Sequence, residues 1–196
     1  ERMTICNMSI EAGAKAGMIA PDDTTFNYLF DKPRSPKEND WDLALEYWNN
    51  LPSDIDAKFD KYLEINAADL EPMVTYGTNP GMVVNINDPI PINGDASIKK
   101  AIDYMEITPG ETLQNKDIDV VFIGSCTNSR LSDLEAAAHI LKDRKVANNV
   151  KMLVVPGSQK IKADAEKLGL NKIFKEAGAE WRESGCSMCL GMNGDT

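Results

Sequence analysis

The sequence is short of positive charge, nearly without histidine, sparing with cysteine and free of long apolar runs, and each shortage closes off a class of function. Lysine and arginine number 21 against 31 aspartates and glutamates, a net charge of −10. Affinity for DNA, RNA or an anionic membrane surface comes mostly from clustered cations, and no basic run occurs here, so neither is an expected partner. No apolar stretch is long enough to span a bilayer. The opening "ERMTICNMSI" lacks both a charged run leading into an apolar one and a cleavage site, so no secretory signal is read there. Four cysteines in a chain of ordinary composition do not make the disulfide scaffold of a small secreted domain. A cytoplasmic setting, with the cysteines in metal or catalytic use, is the expectation.

The 196 residues suffice for one large domain or two small ones. The chain does not open on an initiator methionine, and a strand-like "MTIC" (3–6) runs straight into a predicted helix, "SIEAGAKAGM" (9–18), capped by Asn7 or Ser9. That start reads as the middle of a longer polypeptide. After the loop "FDKPRSPKENDWD", Asp40 is placed to cap a helix with Trp41, Leu45 and Trp48 on one face. "KYLEI" (61–65) and "PMVTYG" (72–77) are strand candidates, and the turn formers of 77–95 place a boundary near residue 85, between parts 1–85 and 86–196.

The second part reads more regularly. A helix is predicted over 96–105 with Ile98, Ile102 and Met105 inward, then the strand 119–124, a helix over 129–143, the strand 150–155, and helices 159–168 and 171–177 stopped by Gly169 and Gly178. Strands apolar on both faces that alternate with helices predict an α/β fold with a mostly parallel, three-layer αβα sheet. Ligands of such sheets gather beyond the carboxyl ends of the strands, where "GSCTNSR" (124–130) and "PGS" (156–158) fall.

Cys126 therefore stands at a candidate functional edge. Some sixty residues on, "GCSMCLGMN" sets Cys186 and Cys189 in a C-x-x-C flanked by glycines, a spacing that lets two sulfurs converge on one metal centre. Structural zinc normally takes four ligands, and the one histidine, His139, lies in a helix far from Cys126 in sequence. An electron-transfer cluster also takes four cysteines, which would need Cys6; a redox module of that kind and a zinc domain stay open on the pattern alone. Three thiolates suit a four-iron cluster with one iron left open to an organic acid, with Cys6 then a small buried apolar residue.

These stretches, with "TICNMSIEAGAKAG", "DWDLALEYW", "EPMVTYGTNPG", "VVPGS" and "IFKEAGAEWRESGCSMC", resemble the aconitase family of iron–sulfur hydro-lyases over the whole chain, and within it the leucine-biosynthesis branch. The resemblance implies aconitase-like α/β domains: part of the second in 1–85, and the third, with the cluster cysteines, in 86–196. It implies Cys126, Cys186 and Cys189 as ligands of a [4Fe-4S] cluster, Asn7 hydrogen-bonding at the cluster and Glu11 beside the substrate. Asn7 also reads as a simple cap, and Glu11 as a first-turn carboxylate. Arg130 is a candidate for a substrate carboxylate or a solvated first-turn residue, and Met188 and Met192 are expected to shield the cluster.

The reaction implied is dehydration of 2-isopropylmalate and rehydration to 3-isopropylmalate, with a small subunit carrying the swivelling domain as partner. Homoaconitase or another malate-type hydro-lyase is the rival within the family. Aconitases proper carry Gly-Pro between the paired cysteines, where this chain has Ser187-Met188. The family's first domain, its arginine segment after the cysteine pair and its serine base find no counterpart here, so the chain is expected to be inactive alone.

Overall fold

A computed structural model describes residues 1–191, which divide into two compact units, Glu1–Pro72 and the chain from Met73 onward. The first unit is helical: α1 (Arg2–Met8), α2 (Asp23–Leu29), α3 (Asn39–Trp48) and a 3₁₀ turn, Ala67–Asp69. Asp22 caps α2, accepting from the Thr25 amide at 3.2 Å, and binds the Arg2 guanidinium at 2.6 Å, which ties α1 to the start of α2. Trp41 and Trp48 do share a face of α3, their rings 5.6 Å apart. They meet Phe30 and Phe26 at 5.3 and 6.0 Å, so both tryptophans are packing residues.

Several expectations in this unit are corrected. "MTIC" is helical, not extended: with no strand beside it among the described residues of the unit, its amides satisfy its own carbonyls, beginning with Ile5 to Glu1 at 2.9 Å. The predicted helix 9–18 is a series of turns, because Gly13 takes a φ of +83° that no α-helix contains and glycine is the costliest non-proline residue to hold in one. Asn7 therefore lies inside the last turn of α1 and caps nothing. "KYLEI" has no strand partner and stays irregular. Among the described residues this unit has no strand, so a pair of related α/β subdomains is not confirmed.

The second unit begins with an antiparallel hairpin of β1 (Met73–Thr75) and β2 (Val83–Asn85), Val74 opposite Val84. The expected boundary near 85 falls at the end of β2. Next comes α4 (Ala96–Tyr104), capped by Asp95, which accepts from Ser97 and Ile98 amides at 2.9 Å. Ile90, Ala101 and Ile102 form a small core with Tyr76 and Met82. Met105 follows the helix end and is 43% exposed, not inward as the periodicity predicts.

The larger core belongs to a parallel α/β layer. Strands β3 (Val120–Ile123), β4 (Lys151–Val154) and β5 (Glu180–Trp181) run parallel in that order, connected by α5 (Leu131–Leu141) and by α6 (Gln159–Lys167) with α7 (Leu170–Ala177). Alternation puts Val121, Ile123, Met152, Val154 and Trp181 on one face, where they pack with Leu134, Ala138, Ile161, Ala165 and Phe174 of the three helices. Leu153, on the opposite face, is also buried, so the middle strand is covered on both sides. This is the mixed α/β class with a parallel sheet that the sequence pattern predicts.

Candidate functional site

All three strands of the parallel sheet end at one edge, and each end opens into a loop. Behind β3, Ser125 adopts a φ of +87°, an unusual conformation for a residue with a Cβ, and its hydroxyl accepts from the Asn128 amide at 3.2 Å. The next residue, Cys126, is exposed, with Sγ 3.8 Å from Thr127 Oγ1. Arg130 opens α5: its amide donates to Asp133 Oδ2 at 2.9 Å and its guanidinium to the Cys126 carbonyl at 3.3 Å. Arg130 thus turns back onto the loop that carries Cys126.

Behind the middle strand, Pro156-Gly157 leads into α6, whose Ile161 amide donates to the Ser158 hydroxyl at 3.2 Å. The Gly157 amide donates to the Ser129 carbonyl at 2.9 Å. A Cβ at Gly157 would stand 2.7 Å from that oxygen and 3.2 Å from the Cys126 carbonyl, so only glycine fits without moving the Cys126 loop. Ser129 is fully buried, and its hydroxyl has no hydrogen-bond partner among the described residues.

Behind β5, the Arg182 amide donates to the Val154 carbonyl at 2.9 Å and Trp181 stacks on Phe174 at 5.7 Å, its indole nitrogen donating to Glu166 at 2.9 Å. Glu183 binds Lys162 of α6, with Gln159 at 3.5 Å. The hydrogen bond from Lys162, and next that from Gln159, holds the Glu183 carboxyl below its ordinary value. The C-x-x-C follows as a tight turn, Leu190 amide to Ser187 carbonyl at 3.0 Å, which buries Ser187 and leaves Cys186 and Cys189 exposed. Met188 is half-buried beside them, and Met192 lies outside the described residues.

In the first unit, Cys6 is half-buried, and Asn7 and Glu11 are exposed. A Cβ at Gly17 would come within 2.9 Å of the Cys6 backbone, so the glycine lets the chain double back along α1 beside these residues. None of the four cysteines is in a disulfide.

Cys126 thus lies in the loop that follows β3, and Cys186 and Cys189 in the segment that follows β5. Among the described residues, however, no three Cys, His, Asp or Glu side chains gather closely enough to hold a metal ion. In kind, the donors fit an iron–sulfur cluster: exposed thiols outside any disulfide, on glycine-bearing loops, soft ligands suited to iron and sulfide. Residue patterns had singled out the cysteines but not Gly157, Lys162 or Glu183; the "PGS" after the middle strand was the one signal pointing to the first of these.

The aconitase family (aconitate hydratase) matches residues 1–196. A 3-isopropylmalate dehydratase large subunit from Roseiflexus castenholzii (strain DSM 13941 / HLO8) is 56% identical over 202 residues, covering 100% of this chain and 43% of that protein. The chain therefore spans less than half the length of the curated relative it matches. With the match running from end to end, the chain belongs to the aconitase family.

Proposed function

We propose that this chain is part of a hydro-lyase of leucine biosynthesis that converts 2-isopropylmalate to 3-isopropylmalate by removing water and adding it back at the neighbouring carbon. The observation that carries the reading is that Cys126, Cys186 and Cys189 are exposed, outside any disulfide, and lie in loops that leave the carboxyl ends of strands of one parallel sheet. The identity to a 3-isopropylmalate dehydratase large subunit supports it.

In this reading Cys126, Cys186 and Cys189 hold a [4Fe-4S] cluster. When bound, such a group supplies a Lewis acid for a substrate hydroxyl and carboxylate. The chain itself does the holding and the orienting. Arg130 and Gly157 fix the backbone of the Cys126 loop, and Asn7 and Glu11 offer an amide and a carboxylate, the first to orient by hydrogen bonds and the second to exchange a proton. A small subunit carrying a swivelling domain is the proposed partner, in keeping with the relative's description as a large subunit. No helix among the described residues is long and apolar enough to cross a membrane, and the cytoplasm is the proposed place of work.

Anaerobic reconstitution of the chain with iron and sulfide, followed by EPR after mild oxidation, tests the reading. A three-iron signal is expected, since a cluster held by three thiolates has one iron without a protein ligand. Bound zinc without acid-labile sulfide, or a four-iron cluster that resists conversion, would contradict it.

A further inference from the structure

We propose that the junction between the middle strand β4 and helix α6 positions the two cysteine-bearing loops, with Gly157 setting the Cys126 loop and Lys162 setting the C-x-x-C loop. The inference rests on the reading that the three thiols act together, and it assigns the task of aligning them to residues that bear no thiol.

The geometry behind it is one-sided on each flank. Toward β3, the Gly157 amide is bonded to the Ser129 carbonyl at 2.9 Å, and the space that a Cβ would need is already taken by backbone oxygens of Ser129 and Cys126. Backbone cannot swing aside as a flexible side chain does. At Gly124, by contrast, the closest atom a Cβ would meet, at 2.5 Å, is the tip of the Phe122 ring.

Toward β5, the Lys162 side chain is only 14% exposed and reaches Glu183, three residues before Cys186, while Gln159 from the same turn of α6 meets the same carboxylate at 3.5 Å. The Arg182 amide ties the base of that loop to Val154 of the middle strand. One short segment, 157–162, thereby touches the supports of both loops. Each side works through a different contact, so the two flanks are separable by mutation.

The test reads thiol reactivity in the metal-free full chain: the rates at which iodoacetamide modifies each cysteine, resolved by peptide mass spectrometry, with Cys6 as internal reference. Gly157→Ala is expected to shift the Cys126 rate by at least about threefold and leave Cys186 and Cys189 as they were, because reactivity follows local environment. Lys162→Met is expected to do the reverse. A loss of stability alone would move the three thiols of the second unit together, so a change common to all three, no change, or either variant failing to discriminate overturns the proposal. Should Gly157→Ala not fold, hydrogen exchange at the Gly157 amide of the unaltered chain decides: slow exchange is expected, and exchange at the rate of an open amide overturns it. Iron is absent from these measurements, so their failure would be distinct from a failure to assemble a cluster.

Discussion

Glu183 carries a consequence that belongs to a single carboxyl group. Its folded pKa lies below the ordinary 4.5, mainly through the hydrogen bond from Lys162, so its contribution to stability is fully present above about that pH and is lost as pH falls through the lowered value. Glu183→Gln should therefore lower the melting temperature near pH 6, and the gap from the unaltered chain should close as the pH drops below 4.5. Thermal melts across that range check the sign, and a gap that widens toward low pH would contradict it. The effect is expected to be small and to shrink in salt, because the carboxylate is exposed. At this same scale, Cys126, Cys186 and Cys189 stood out in the sequence because cysteine chemistry is legible from type and spacing. Gly157 did not, because what makes it matter is an oxygen from a loop nearly thirty positions away in the chain, which no local pattern encodes.

At the scale of elements, the span from β3 to α7 was readable because every signal agreed. The strand cores "VVFI" and "MLVV" are apolar on both faces, Leu134 and Ala138 repeat at helical spacing, and Gly178 ends α7 with a φ of +99°. Leu134, fully buried between α5 and the sheet, is the position where truncation tests that packing. Leu134→Ala is expected to cost about 3 kcal/mol in denaturant unfolding, the range for a leucine cavity, and a cost near zero would show that the layer does not pack as described. β5 escaped notice because a two-residue "EW" has no periodicity to detect, and its place in the sheet is set by pairing with Leu153 and Val154. The misread start of the chain has the opposite cause: alanines and a glutamate favour a helix over 9–18, but Gly13 and Gly17 serve a doubling-back of the chain that local propensity does not show.

At the scale of the whole molecule, the two units differ in how much they bury. The second holds two apolar clusters, whereas in the first Phe26 is the buried hydrophobic residue while Met18, Tyr62 and Leu63 are 91%, 79% and 80% exposed. The second unit contains the full trio of candidate ligands, and that makes the account decidable on this chain. The most direct measurement is iron and acid-labile sulfide content after anaerobic reconstitution of four single variants, Cys6→Ala, Cys126→Ala, Cys186→Ala and Cys189→Ala. The account predicts that the first retains the cluster and the other three lose it; loss in Cys6→Ala, or retention in Cys126→Ala, would contradict it.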